Sequence, residues 1–295
     1  MEEDIPIIER NTVEVLELIN GGGYGTVYKI NYYNRLLAMK IIIDESESEE
    51  NRKSFENELK KLYALQHPNI IEIIGVCFNK NNLKELSFIM ELMECSLSKL
   101  LYKSIGFIYD LTQILNWSKQ IAEGLDFMHS KKFVHRDIKP GNILLKDNYQ
   151  IVKLCDLGIA ATIRSSMTDE RGTSGYTAPE VILGTHYDEK CDVYSFAITL
   201  WAICSKEKPF KGLNNATIIL KVIKEIRPSL ENIKEYPDGI RNLIIKCWEH
   251  DPKNRPPMSE VLNNISEILN SDNFETGKND NMTNTNILNP LQKKL

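Results

Sequence analysis

The run His135-Arg136-Asp137-Ile138-Lys139-Pro140-Gly141-Asn142 sets a carboxylate, an ammonium group and an amide within eight consecutive residues. Asp137 and Asn142 bracket a Pro-Gly turn, a geometry that can aim both side chains into one cleft. A second carboxylate, Asp156, follows nineteen residues after Asp137. Between them, Asn142–Leu145 and Ile151–Cys155 flank Lys146-Asp147-Asn148-Tyr149-Gln150 and read as a short hairpin, which returns the chain to the same edge. Transfer of a phosphoryl group from a nucleoside triphosphate needs such a set. One carboxylate orients the attacking hydroxyl and accepts its proton, oxygen ligands hold a metal, and a cation steadies the migrating charge.

A second segment with chemistry in it is Ile19-Asn20-Gly21-Gly22-Gly23-Tyr24-Gly25-Thr26-Val27. Glycines without a Cβ let backbone N–H groups approach phosphate oxygens. They also suit a plain hairpin turn, and the cluster by itself leaves both readings open. A dinucleotide-binding loop must open a helix, whereas the residues after Gly25 alternate as a strand. A Walker A loop needs Gly-Lys-Ser/Thr, and Gly25 is followed by Thr26-Val27. What remains is strand, Gly-rich loop, strand, with Ala38-Met39-Lys40 on the strand after. Glu58 lies at the edge of an apolar stripe made by Phe55, Leu59 and Leu62. It either reaches solvent or needs a cationic partner, because unpaired burial of a carboxylate is costly.

The elements that must position these groups follow from periodicity. Val13–Ile19, Thr26–Ile30 and Leu36–Ile43 read as strands, Phe55–Leu62 as helix, and Ile70–Phe78 and Leu86–Leu92 as further strands. His67-Pro68-Asn69 is expected to end the helix, since the residue before Pro is pushed out of the helical region. Beyond Met93 the period turns helical. Trp117, Ile121, Leu125 and Met128 form one stripe of a long helix, and two apolar helices lie around Val193–Ile203 and Ile240–Trp248. Residues 1–12 carry little pattern, and 271–295, rich in Asn, Thr and Lys, are expected to be disordered. The outline is a small strand-rich lobe followed by a larger helical one.

Composition narrows the field. The chain has 295 residues with 36 basic and 41 acidic side chains, a net charge of −5. No excess of cations is available for a run of phosphates, so nucleic acid is disfavoured as a partner. The start Met1-Glu2-Glu3-Asp4 reads as no secretory signal, Glu2 excludes N-myristoylation, and Lys293-Lys294-Leu295 is no prenylation box. The apolar stretch Val193–Cys204 falls well short of the roughly 20 residues that a membrane span needs. Six scattered cysteines without a C-x-x-C pair suit reduced thiols, and the expected location is the cytoplasm, with the nucleus as the alternative.

Taken together, the Gly-rich loop, Lys40, Glu58, the His135–Asn142 run and Asp156-Leu157-Gly158 resemble the eukaryotic protein kinase family over about residues 13–269. That resemblance implies an α+β, two-lobed fold. An antiparallel-sheet N-lobe with one main helix (13–92) would precede a helical C-lobe (93–270). It implies ATP with Mg²⁺, or Mn²⁺, as cofactors. Asp137 would be the catalytic base, Lys139 would steady the phosphate, and Asn142 and Asp156 would hold the metal. Lys40 would grip the nucleotide phosphates and pair with Glu58. Ile19, Asn20, Gly21, Gly22, Gly23, Tyr24 and Gly25 would cover the nucleotide. Val27 and Ala38 would roof the adenine and Leu144 would floor it. Met90 would stand at the back, with Glu91 and Met93 giving backbone contacts, and Cys155 would line the pocket unless it is merely a small core residue. Asn20 and Leu157 depart from the family's commonest Gly and Phe, and Ala197 replaces a common Gly.

The same resemblance extends to specificity and control. Lys139 and Gly172-Thr173-x-x-Tyr176-x-Ala178-Pro179-Glu180 resemble serine/threonine kinases, with Thr173 near Asp137 and the acceptor. Asp192-Val193-Tyr194-Ser195-Phe196 and Cys247-Trp248-x-x-Asp251-Pro252-x-x-Arg255-Pro256 look like the tyrosine-kinase-like group. Asp192 would brace the catalytic loop, unless it is only a helix cap, and Glu180 would pair with Arg255. Protein substrates with Ser or Thr acceptors are implied. Arg136 would receive a phosphate placed on Ser165, Ser166 or Thr168 by an upstream kinase or in trans, unless these are plain loop hydroxyls; Asp169 and Glu170 would supply part of that charge. The rival class is a binding scaffold of the same fold, against which stands the presence of Lys40, Glu58, Asp137, Asn142 and Asp156.

Overall fold

The structure, a computed structural model, describes residues 4–22, 25–44, 48–79, 84–104, 106–156 and 173–276. Gly23, Tyr24, Leu157, Gly158, Ser165, Ser166, Thr168, Asp169, Glu170, Gly172 and the tail beyond 276 lie outside the described residues.

Alternating side chains build the first layer. Strands β1 (Ile7–Glu9), β2 (Glu14–Gly22), β3 (Gly25–Tyr32), β4 (Arg35–Ile43), β5 (Ile73–Phe78) and β6 (Glu85–Glu91) form one six-stranded sheet in the order β1-β5-β6-β4-β3-β2. In β4, Leu37 and Met39 pack with Ile8, Val13, Ile30, Cys77 and Ile89 on one face. Ala38 and Ile42 join the main core on the other, with Phe55, Leu59 and Leu62 of helix α1 (Glu49–Tyr63). The period of two therefore puts Lys40 on the same face as Ala38. Ser48 caps α1 by accepting the N–H groups of Glu50 and Asn51.

Several boundaries differ from those expected. Helix α1 stops at Tyr63, ahead of Pro68: the Ala64 N–H still reaches the Lys60 carbonyl at 3.2 Å, and the Leu65 N–H then tightens to the Leu62 carbonyl at 3.0 Å. β2 runs on through the first glycines, and Gly22 pairs with Gly25, so the hairpin is tighter than a long loop. Gly25 has φ 115°, and a Cβ there would collide with the Ile41 carbonyl. The patternless start of the chain is a sheet strand. β1 runs parallel to β5, Pro6 accepts the Val76 N–H at 2.9 Å, and Ile5 and Ile8 are buried. Three short-spaced apolar residues among acids gave periodicity too little to show.

The second lobe is helical. It comprises α2 (Leu97–Lys103), α3 (Leu111–Ser130), α4 (Pro179–Ile182), α5 (Lys190–Ser205), α6 (Asn215–Ile223), α7 (Asp238–Cys247) and α8 (Met258–Thr276). The last of these continues past residue 270, the expected end of order. A three-stranded sheet of β7 (Cys95–Ser96), β8 (Ile143–Lys146) and β9 (Ile151–Leu154) lies where the lobes meet. The long helix α3 buries the expected stripe, and Trp117 donates its indole N–H to Tyr149 O at 2.7 Å. α5 is buried on all sides from Cys191 to Cys204, which makes it the central post of this lobe.

The lobes are joined by backbone as well as by the connecting chain. The Leu154 N–H donates to Asn69 O at 2.8 Å and the Ile71 N–H to Leu154 O at 2.9 Å. Gly124 of α3 admits this approach, since a Cβ there would lie 3.0 Å from Asn69 O.

The buried ion pair of Glu180 and Arg255 forms as expected. Arg255 is 1% exposed and donates to both Glu180 oxygens, at 2.6 and 2.9 Å. Its remaining N–H groups go to the Glu249, Lys190 and His250 carbonyls at 2.7, 2.9 and 3.0 Å, so all guanidinium donors are engaged. Removing one partner leaves a buried charge uncompensated. Arg255→Met should therefore lower unfolding free energy by about 3–5 kcal/mol in a denaturant titration. Adding Glu180→Leu should recover much of the loss. A single variant as stable as the parent would contradict this account.

Candidate active site

The site is built around Asp192 at the start of α5. Its carboxylate is wholly buried and accepts the His135 N–H at 2.8 Å and the Arg136 N–H at 2.7 Å; His129 Nε2, at the end of α3, lies 3.0 Å away. Arg136 is held at φ 70°, a left-handed backbone that a non-glycine residue adopts only where surroundings enforce it. The His135 ring adds a second tie, with Nε2 3.0 Å from Cys155 O. The expectation for Asp192 as brace is thus met. His129 was not foreseen: nothing in its spacing separates it from an ordinary last-turn histidine.

That frame presents Asp137. Its Oδ2 receives Asn142 Nδ2 at 2.8 Å and lies 2.9 Å from Lys139 Nζ. Asn142 Nδ2 also donates to Asp137 O at 2.8 Å, which leaves the Asn142 amide oxygen for another partner. Asp137, Lys139 and Asn142 are therefore brought together as the spacing suggested. A third acid arrives from the far side of the β8–β9 hairpin. Asp156 stands at φ 60° and its Oδ1 accepts from Lys40 Nζ.

Here the structure corrects the sequence reading. The expected Lys40–Glu58 pair is absent: Glu58 Oε2 lies 3.4 Å from Lys61, one turn along its own helix, while Lys40 turns to Asp156. With an acid at hand in the cleft and a lysine adjacent on α1, neither charge needs the other. Burial, then the charge of Asp156, pushes the Cys155 thiol well above its ordinary pKa, so it sits as a neutral small side chain.

The residues expected to line the nucleotide site come from both lobes. Ala38 and Met90 are Cα partners across β4 and β6, both buried, and Val27 lies opposite Lys40 in β3. Leu144 and Met93 are half-buried against the same core. Ile19, Asn20 and Gly21 lie in β2, exposed, with Gly22 closing its end. Thr173 opens the turn Thr173–Gly175, and its side chain lies outside the described residues.

Glu91 does more than its backbone role suggested. Its carboxylate is 2.6 Å from Lys153 Nζ and 3.3 Å from Lys146 Nζ, and it accepts the Glu72 N–H at 2.9 Å. It thereby ties the end of β6 to both strands of the hairpin that leads to Asp156. An acid closing the apolar strand Leu86–Leu92 was the available signal, and it was read only for its main chain.

With this geometry in place, comparison with known proteins assigns the class. A protein kinase domain model matches residues 13–265, and the chain belongs to that family. Mitogen-activated protein kinase kinase kinase 7 of Drosophila melanogaster is 35% identical over 268 residues, covering 89% of this chain and 38% of that protein. The Homo sapiens protein of the same name is 35% identical over 269 residues, covering 89% and 43%. Dual specificity protein kinase shkE of Dictyostelium discoideum is 31% identical over 261 residues, covering 86% and 36%. The chain thus spans less than half the length of these relatives.

The brace is testable by itself. Asp192→Asn keeps the shape but turns an N–H donor toward backbone donors, leaving at least one of them unsatisfied at about 1–3 kcal/mol. Amide exchange at His135 and Arg136 should then speed up about 10- to 100-fold. Unchanged exchange would show that the loop holds its strained turn without this carboxylate.

Proposed function

We propose that this chain is a serine/threonine protein kinase domain, transferring the γ-phosphate of ATP to Ser or Thr hydroxyls of proteins in intracellular signalling. The observation that carries it is the Asp137 carboxylate held by Lys139 and Asn142 on a loop anchored to Asp192. Asp137 orients the acceptor hydroxyl and takes its proton; Lys139, already beside that carboxylate, steadies the transferring group. Thr173 would contact Asp137 and Lys139 near the acceptor, as the family resemblance implies.

The donor set suits a hard divalent cation. Asn142 keeps its amide oxygen and Asp156 its carboxylate, and oxygen ligands are what Mg²⁺ or Mn²⁺ takes. Among the described residues no cluster of three or more His, Cys, Asp or Glu could hold an ion without help. Two side-chain ligands plus nucleotide phosphates fit that pattern. The metal would draw charge from the phosphates. Lys40 would pass from Asp156 to the nucleotide, and Ala38, Val27, the β2–β3 hairpin, Leu144 and Met90, with the main chain of Glu91 and Met93, would hold its base.

Control fits the same frame. The Arg136 guanidinium is exposed and lies 5.6 Å from the Tyr187 ring centre; in this reading it would receive a phosphate carried by Ser165, Ser166 or Thr168, which lie outside the described residues. The names of the relatives place them in kinase cascades. Among the described residues no helix is long and apolar enough to cross a membrane, and a cytoplasmic site of action is part of this reading.

The test is transfer of labelled γ-phosphate to a generic protein substrate, comparing the parent with Asp137→Asn. Loss of at least about 100-fold in the variant, with phosphoserine and phosphothreonine as products, is expected for removal of a general base. Equal incorporation in both would sink the mechanism. No incorporation in either would favour a binding scaffold.

A further inference from the structure

The border of the catalytic turn carries a charge pattern that the reaction itself does not use. Helix α2 packs on the Pro140–Asn142 turn next to Asp137. Tyr102 in its last turn donates to Glu207 O at 3.3 Å, and its oxygen lies 3.1 Å from the Tyr176 hydroxyl. The segment Lys206–Lys211 after α5 leans on the Thr173–Gly175 turn: a Cβ on Gly175 would meet Pro209 Cγ at 3.1 Å and Phe210 Cδ2 at 3.6 Å. Two turns that flank the chemistry are thus tied together by one short basic segment.

Two of its cations lie over aromatic rings. Lys206 Nζ lies 4.3 Å from the centre of the Tyr109 ring and Lys208 Nζ 5.6 Å from that of Tyr102. Lys206, Lys208 and Lys211 are all exposed. The one acid among them, Glu207, pairs with Lys211 at 3.5 Å and accepts from Asn232 Nδ2 at 3.1 Å, so three lysines face a single carboxylate and the segment stays positive. A positive rim therefore borders the acceptor turn of a chain whose net charge is −5. Cations set in place before binding lose little freedom when they meet a carboxylate, and a charge of one sign at a cleft mouth selects and steers its opposite.

We propose that this rim, through Lys208 and Lys211, selects protein substrates with acidic side chains close to the acceptor hydroxyl. The inference rests on the kinase reading above and names the substrate class for it. Tyr102 is the link that makes the position of the charge matter, since it joins the rim to the acceptor turn through Tyr176.

The test uses three peptides with one Ser or Thr acceptor, flanked by Asp/Glu, by Gln or by Lys. For the parent, kcat/KM should fall in that order. In the Lys208→Glu/Lys211→Glu variant the acid-flanked peptide should lose about 5- to 10-fold, as expected for a few exposed ion pairs. The Gln-flanked peptide should be unchanged, which shows the variant folded and competent, and high salt should narrow the preference. A parent that treats the acidic and Gln peptides alike, or a preference that survives in the variant, overturns the proposal. Binding of the same peptides to the Asp137→Asn protein, read by fluorescence anisotropy, separates the two claims. Acid-selective binding, with no phosphate transfer by the parent protein to any of the peptides, would uphold the rim and overturn the kinase reading. Equal binding of acidic and Gln peptides would overturn the rim alone.

Discussion

One buried carboxylate holds the reacting loop in a shape the backbone would not choose. Asp192 offers its two oxygens to the N–H groups of His135 and Arg136, and without them a left-handed arginine beside Asp137 has no reason to persist. The cost of burying that charge is offset by hydrogen bonds to its ionised form, which are about twice as strong as neutral ones. Position then passes outward. The braced loop fixes Asp137, Asp137 gathers Lys139 and Asn142, and the hairpin that begins at Ile143 brings Asp156 back to Lys40.

The cleft depends equally on how two lobes meet. Leu154 and Asn69 share main-chain bonds, and Glu91 bridges Lys146, Lys153 and the Glu72 N–H at the same seam. These contacts set the hairpin carrying Leu144 and Asp156 against the strands carrying Ala38, Lys40 and Met90. Lys40 meanwhile neutralises Asp156, the pairing expected of two opposite charges that face one another across a cleft.

Much of this was readable because short-range constraints produce it. Asn142 stands five positions after Asp137 around a Pro-Gly turn, and that spacing survives into the geometry. Alternation put Lys40 on the face of Ala38, and the apolar run around Val193–Ile203 marked α5 as a helix, though not as the central one. What escaped was long-range or weakly patterned. The partner of Glu58 depends on where α1 sits, which periodicity does not report. His129 reaches Asp192 only because α3 and α5 pack together. The Ile7–Glu9 strand earns its place from a neighbour almost seventy residues on (Ile7 pairs with Val76), with too few apolar residues to announce it.

In the proposed function Asp156, Asn142 and Lys40 would form a nucleotide site completed by a divalent cation. Calorimetric titration of ATP into the protein, with Mg²⁺ and then with the metal chelated, addresses it most directly. The account predicts tighter binding with Mg²⁺ in the parent, and loss of that metal dependence in Asp156→Asn. Equal affinity with and without metal in the parent, or a metal effect unchanged in the variant, would contradict it.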